Sequence, residues 1–255
     1  MTDNYFTERH LRLPDGTFPH LGVSGGDVAP VVLLCGNPER VERIRELMDD
    51  PKEVGKKRGY AVYTGTYQGK AVSVAASGLG SPSLAIAVEE LGVAGGRVFI
   101  RVGSCASCQS EVKVGDVIIS TAGVRDEGTS HYVAPAIFPA VADFEVVAAL
   151  SAAAEARGVA FHRGIVRSTD SFYDGERIRE IIDKWGKRRV LAFEMESSAL
   201  FTVATVLGYR SGSILVPGTN LTSGVATYQG EALDEYAQGM GSAINVSLDA
   251  AAMLS

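Results

Sequence analysis

The sequence predicts an α/β fold, in which one domain is built on a β-sheet covered by helices on both faces. Short apolar runs of strand length alternate with segments of helical length along the 255 residues. Several of these runs end at a glycine followed by a polar residue. Strands that are apolar throughout are typical of a sheet buried on both faces. No linker, repeat or low-complexity segment divides the chain, so we predict a single domain over residues 1–255.

The first half of the chain predicts a strand, a helix and a hairpin in that order. The apolar run Val31–Cys35 ends at a Gly-Asn-Pro turn, and Glu39–Met48 then has apolar residues at helical spacing. Tyr60–Tyr67 alternates polar and apolar residues and is followed, after Gln-Gly, by Ala71–Ala75, which predicts the hairpin. The other elements predicted in this half are a helix at Ser83–Leu91 and strands at Val98–Val102 and Asp116–Ser120.

The second half continues the alternation. Its predicted strands are His162–Ser168, Ala192–Glu196 and Ser213–Val216, and its predicted helices are Phe144–Arg157, Glu176–Trp185, Ser197–Leu207 and Glu231–Leu254. Gly158 and Gly208 follow two of these helices directly, as glycine commonly does at a helix C-terminus. Ligands of such sheets bind beyond the strand ends, where we therefore look for functional residues.

Composition excludes several classes of function. The net charge of −6 argues against a nucleic-acid-binding protein, which normally carries a basic face. No run approaches the ~20 apolar residues of a membrane helix, and residues 1–22 mix charged residues and prolines, unlike a signal peptide. We expect a cytoplasmic protein. Cys105 and Cys108 form a C-x-x-C with no second pair, so we interpret them as packing residues, with a redox pair as the alternative, and predict no metal.

Two arginines near strand ends predict an anion site. Arg40 lies in the first turn of a helix that follows Gly36, and backbone N–H groups at a helix start attract phosphate. Arg101 interrupts an apolar strand just before Gly103 and Ser104. A buried arginine needs an anion, and the alternative to phosphate is an ion pair with a local carboxylate.

Glu194 and Glu196 flank Met195 at the start of a long apolar helix. We expect these two carboxylates to face opposite sides of the segment and not to act as an acid/base pair. One of them is then free to accept hydrogen bonds from a polyol while the other forms a structural salt bridge. The alternative is that both are simply favourable acids at a helix N-terminus.

Five motifs follow one another along the chain, namely Gly36–Arg40, Gly78–Pro82, Arg101–Ser104, Val114–Ile118 and Phe193–Ser197. In order and spacing they match the nucleoside phosphorylase-I family, which the chain resembles over residues 18–250. Phe138–Phe144 and the Arg125-x-x-Gly128 lead-in resemble the uridine phosphorylase branch. The resemblance implies a mixed, partly barrel-like central sheet flanked by helices. It also implies a pentosyltransferase that cleaves a nucleoside with inorganic phosphate, to free base and ribose 1-phosphate, without a cofactor.

The resemblance also implies roles for individual residues. Phosphate would be bound by Gly36, Arg40, Arg58, Arg101 and Ser104, ribose by His20, Glu194, Met195 and Glu196, and the base by Phe172, Glu176, Arg177 and Asn220. Arg101 and Glu196 would be the catalytic residues. In the family His20 and Arg58 come from a neighbouring subunit, so the active unit would be a dimer, assembled into a hexamer, with residues 1–22 contributing to subunit contacts.

The base end departs from the family pattern. Val216–Thr222 lacks the acid of bacterial purine phosphorylases, which favours the pyrimidine branch, but Glu176 and Ile178 replace that branch's uracil-binding Gln and Arg. Arg177 or Arg179 would substitute after a loop shift, or Glu176 points to solvent. Uridine is the first expected substrate, and a purine or modified nucleoside the second.

Two other classes of function are weighed against a phosphorylase. A hydrolytic nucleosidase has no need of three phosphate-binding arginines, and a non-catalytic nucleoside-binding protein would keep the same contacts without turnover. The position of the glutamate that binds a monovalent cation in some uridine phosphorylases holds Gly59, so no such ion is predicted.

Overall fold

The apolar runs of the sequence are the central strands of one mixed sheet in the structure, a computed structural model that describes residues 11–173 and 175–255. The side chain of Glu176 lies outside the described part. The strands within those ranges are β1 (Val31–Cys35), β2 (Asp49–Lys57), β3 (Tyr60–Tyr67), β4 (Lys70–Ala76), β5 (Val98–Ser107), β6 (Val117–Asp126), β7 (Ala140–Val141), β8 (Phe161–Thr169), β9 (Ala192–Glu194) and β10 (Arg210–Asn220). The helices are α1 (Pro38–Arg45), α2 (Ser81–Ala94), α3 (Thr129–Val133), α4 (Phe144–Ala156), α5 (Ile178–Gly186), α6 (Ser197–Val206) and α7 (Leu233–Leu254).

Half of the sheet is open and half is closed. The open half runs β2-β3-β4-β1-β5, with β1 parallel to both β4 and β5. From β5 the order continues through β9, β8 and β6 to β10, and β10 pairs again with β5. These last five strands therefore form a small barrel. The predicted mixed, partly barrel-like sheet is confirmed.

Both faces of the central strand β1 are buried. Val31, Leu33 and Cys35 pack into a core that includes residues of α1, α4 and α7. Val32 and Leu34 pack into a second core that includes residues of α2 and α6. Alternate side chains of a strand point to opposite faces, so β1 separates two hydrophobic layers, which is the arrangement that its continuous apolar run predicts.

The elements begin and end where local chemistry directs. The side chain of Asn37 accepts from the N–H of Glu39 and Pro38 opens α1, but the helix ends at Arg45, before the predicted Met48. The helix predicted from Glu176 begins as an α-helix only at Ile178, after a short 3-10 turn. β2 was not predicted, because it is a mostly exposed polar edge strand without an apolar pattern. In the described part of the chain, no helix combines the length and apolarity needed to cross a membrane.

Candidate active site

The candidate site lies where β1 and β5 run to the same edge of the sheet. The strands are parallel, with Leu34 beside Arg101. Gly36 follows β1 directly, and a Cβ at Gly36 would lie 3.3 Å from the carbonyl oxygen of Gly78 and 3.9 Å from Nη1 of Arg101. Because Gly36 has no side chain, a small ligand has room to approach this guanidinium.

Arg101 is the central charge of the site. Its side chain is 5% exposed, and Nε donates to Oε2 of Glu194 at 3.1 Å while Nη2 lies 2.5 Å from Oε2 of Glu196. Burial lowers the pKa of Arg101, but the charges of Glu196 and Glu194 outweigh burial and the net shift is upward. The local ion pair that the sequence left as an alternative is therefore present. Nη1 still faces Gly36, so the pair does not close the anion site.

Gly103 gives the guanidinium its space. A Cβ at this position would lie 2.8 Å from Cζ and 2.9 Å from Nη2 of Arg101. The arginine side chain thus lies back over the backbone of its own strand. Any residue other than glycine at 103 would displace it.

Glu194 and Glu196 converge on Arg101, so the prediction that they face opposite sides is wrong, because side chains two residues apart on an extended segment share a face. The strand β9 ends at Glu194, and Glu196, with φ −141° and ψ −26°, directly precedes α6. Glu194 also accepts from Oγ of Ser168 at 2.5 Å and from the N–H groups of Glu196 and Ser197 at 2.9 Å. Glu194 is therefore the structural carboxylate that caps α6 and fixes Arg101.

Glu196 links its own acidic segment to the glycine-rich segment that precedes α2. Its Oε1 accepts from the N–H of Gly80 at 2.6 Å, and Oγ of Ser81 donates to the carbonyl oxygen of Met195 at 2.7 Å. Burial and the charge of Glu194 raise the pKa of Glu196, against the opposing effect of Arg101. A buried carboxylate beside a half-buried Met195 suits the binding of sugar hydroxyls.

Arg40 and Ser104 lie beside this centre. Nη1 of Arg40, which is 7% exposed, donates to the carbonyl oxygen of Val102 at 3.0 Å. Ser104 lies two residues further along β5 and is exposed. The structure thus brings Gly36, Arg40, Arg101 and Ser104 to one strand end, and these groups can hold a small anion.

The base-binding residues predicted from the sequence are only partly brought together. Phe172 is 59% exposed and packs edge to face with Tyr173 and Tyr228 at ring distances of 4.9 and 6.3 Å. Arg177 is exposed, and the side chain of Glu176, also predicted to bind the base, lies outside the described residues. Phe172 therefore offers an aromatic surface next to the segment that contains Glu176 and Arg177.

The prediction that Asn220 binds the base is corrected by its hydrogen bonds. Its Nδ2 donates to the carbonyl oxygens of Gln109 and Val112, and its Oδ1 accepts from Thr222 and from the N–H of Ser223. Asn220 is also 3% exposed. All its polar groups are bonded within the protein, so it holds the loop after β10 and presents no free group to a base.

His20 and Arg58 lie away from the centre of the site in the same chain. Nδ1 of His20 lies 2.6 Å from Oε1 of Glu90, and this glutamate is about 14 Å along α2 from the end that contacts Glu196. Arg58 is exposed on the β2–β3 turn with φ 51°, roughly 10–14 Å across the strands from β1. Neither residue reaches Arg101 within one subunit.

Sequence reasoning missed Arg167 and Phe193. Arg167 follows Ile165 and Val166 near the end of β8, and it is 6% exposed. Its Cζ lies 5.2 Å from the ring centre of Phe193. Because β8 also carries His162 and Arg163, its sequence has no apolar run that would mark Arg167 as the apolar run of β5 marks Arg101.

The chain matches the model of the phosphorylase superfamily over residues 30–248. It is 42% identical over 225 residues to a uridine phosphorylase of Thermococcus kodakarensis, covering 84% of this chain and 81% of that protein. It is 37% identical over 206 residues to a guanosine phosphorylase of Halorubrum lacusprofundi, covering 81% and 85%. The crystal structure of a Vibrio fischeri uridine phosphorylase superimposes with a TM-score of 0.88 at 34% identity and covers 94% of this chain and 99% of its own.

Proposed function

We infer that this chain, which belongs to the phosphorylase superfamily, is a nucleoside phosphorylase, a pentosyltransferase that moves ribose from a base to phosphate. The observation that carries this function is the buried Arg101 between Glu194 and Glu196, with Nη1 facing Gly36. A guanidinium in this position binds phosphate, and the adjacent carboxylate accepts from ribose hydroxyls.

Uridine is the first proposed substrate. Relatives that share 34% and 42% of their residues with this chain over most of its length are uridine phosphorylases. Guanosine is the second candidate, because a relative at 37% identity is a guanosine phosphorylase. The exposed Phe172 provides a stacking surface for either base.

The proposed mechanism depends on positioning and electrostatics. Cleavage of the glycosidic bond develops positive charge on the ribose and negative charge on the base. Phosphate held by Arg40 and Arg101, with Arg58 of a neighbouring subunit, balances the ribose charge and then attacks the anomeric carbon. Glu196 fixes the sugar through its hydroxyls. Orientation of two bound reactants alone supplies roughly 7–11 kcal/mol of such a barrier. In this proposal the arginines supply the charge, so no metal or organic cofactor is assigned.

We further propose a homo-oligomer whose active unit is a dimer, assembled into a hexamer, in the cytoplasm and in nucleotide salvage. The supporting observation is the distance of His20 and Arg58 from Arg101 within one chain. Both residues then complete the site of a neighbouring subunit, at the ribose 5′ end and at phosphate. The predicted N-terminal arm, residues 1–22, is described only from residue 11.

The test is phosphate-dependent turnover of uridine, thymidine, guanosine, inosine and adenosine, with base release followed with and without phosphate. Release of uracil that requires phosphate supports the proposal in full. A requirement for phosphate with guanosine or inosine preferred supports the reaction and changes the substrate. Base release that is independent of phosphate identifies a hydrolase instead, and tight nucleoside binding without turnover identifies a binding protein.

A further inference from the structure

Arg167 carries an unused hydrogen-bond donor inside the protein. Its side chain is 7% exposed, Nε donates to Oδ2 of Asp126 at 2.7 Å and Nη2 donates to Oγ1 of Thr169 at 3.4 Å. Nη1 is shielded from solvent and has no hydrogen-bond partner among the described residues. An unpaired buried donor on a charged group is costly, so a small rearrangement that brings an acceptor to Nη1 is favourable.

The position of Arg167 relates it to the candidate active site. Arg167 of β8 is in register with Phe193 of β9, and Phe193 is in register with Ala106 of β5. Side chains two residues apart on a strand share a face, so Thr169 and Ser104 lie one step further along the same face. The bond from Nη2 to Thr169 shows that the guanidinium extends toward that step.

This face carries residues that the proposed function assigns to the substrates. Ser104 is exposed on it, and Phe193 immediately precedes the Glu194–Glu196 segment. Beyond Thr169 the chain continues to the exposed Phe172. Arg167 therefore shares a face with Ser104, assigned to phosphate, and precedes Phe172, assigned to the base, on the same segment.

We propose that Nη1 of Arg167 donates a hydrogen bond to a carbonyl oxygen of the nucleobase and so selects oxo-bases. This inference rests on the proposed phosphorylase function. A guanidinium has donors and no acceptor, so it pairs with a carbonyl oxygen and not with an amino group. Uracil and guanine each carry a carbonyl oxygen next to a ring N–H, at C4 and C6 respectively. Arg167 binds that oxygen, and the ring of Phe193, whose centre lies 5.2 Å from Cζ, packs against the guanidinium.

The test compares substrates that differ by this oxygen and by the proton on the neighbouring ring nitrogen, and the Arg167 variants then isolate the part that depends on the oxygen. Uridine is paired with pyrimidin-2-one riboside, which lacks the C4 oxygen, and guanosine with 2-aminopurine riboside, which lacks the C6 oxygen. We expect the natural chain to favour the oxo-nucleoside of the preferred pair by about 10- to 100-fold in kcat/KM, the range for a hydrogen bond to a charged group. In Arg167→Gln and Arg167→Met the preference should fall to within about threefold, through the KM for nucleoside, while the KM for phosphate stays the same.

Arg163→Gln is the matched control, because Arg163 lies on the same strand over the ring of Phe161 at 5.4 Å but is exposed. It should keep the preference. A natural chain without any preference overturns the inference even if no Arg167 variant folds. So does a preference that survives in folded Arg167→Met. A natural chain that cleaves neither uridine nor guanosine with phosphate overturns the proposed function and this inference together.

Discussion

Replacing Gly103 with alanine should weaken the use of phosphate without removing any charged group. The added Cβ lies 2.8 Å from Cζ of Arg101 and 2.7 Å from Cδ2 of Leu215. Optimal separation of two carbon atoms is about 3.5–4.0 Å, so the guanidinium must move by about 0.7 Å or more. Nη2, now 2.5 Å from Glu196, then loses its position. A misplacement of about 1 Å costs roughly 10²-fold in rate, so we expect kcat/KM for phosphate to fall about 100-fold.

The assay is the initial rate of phosphorolysis at varied phosphate and saturating nucleoside. Gly164→Ala is the control, because its Cβ would lie 2.7 Å from a methyl carbon of Leu191, so it adds a similar clash without touching Arg101. Both variants should lose stability by about 1–3 kcal/mol, the usual effect of overpacking. Only Gly103→Ala should lose phosphate use. If the two variants have the same kcat/KM for phosphate within about threefold, the assigned role of Arg101 is refuted.

Three further predictions concern the acid, the amide and the thiols. Glu196→Gln should lower kcat about 10²-fold. Burial and the charge of Glu194 raise the pKa of Glu196, so kcat/KM of the natural chain should begin to fall at a pH above the ordinary range of glutamate pKa values. This acidic limb of the pH–rate profile should be missing in the variant. The same shift makes the native chain bind this proton more tightly than the unfolded chain, so this group's contribution to the free energy of unfolding should decrease as pH rises through the raised pKa, which denaturant titration of both proteins would measure. Asn220→Ala should lower the free energy of unfolding by about 1–3 kcal/mol and leave the KM for nucleoside unchanged, since its amide is bonded only within the protein; a changed base preference at unchanged stability would contradict this. Iodoacetamide at pH 7 should leave activity and assembly intact, because burial raises the pKa of Cys35 to about 11 and of Cys108 to about 12. Inactivation that bound substrate prevents would instead show that a cysteine lies in the active site.

The fold was predictable wherever a run of consecutive apolar residues indicates a buried element. The continuous apolar run Val31–Cys35 predicted a strand buried on both faces, and the structure places its alternate side chains in two cores. Boundaries were less predictable, because β5 and β10 extend past their apolar runs into the polar segments that close the barrel. β2 carries no apolar pattern at all, since it is an exposed edge strand held by pairing with β3.

The buried arginine at the centre of the candidate site was also predictable, for a physical reason. Burying an arginine in an apolar strand without an anionic partner is costly. The apolar residues on both sides of Arg101 therefore predicted a site at this position. The prediction that Glu194 and Glu196 face opposite sides was wrong for an equally local reason. Side chains two residues apart on an extended segment share a face, and at the end of β9 this brings both carboxylates to one guanidinium.

The base end could not be read because its groups come from segments far apart in sequence. Asn220 looks like a free amide in its own segment, but the loop carbonyls of Gln109 and Val112 consume its donors. Arg167 differs from Asn220, because Asp126 and Thr169 bond two of its nitrogens and Nη1 has no partner among the described residues, which only the folded chain reveals. A polar group can bind a ligand only with the donors and acceptors that are not already bonded within the protein. By this criterion Arg167, and not Asn220, is the group that distinguishes one base from another.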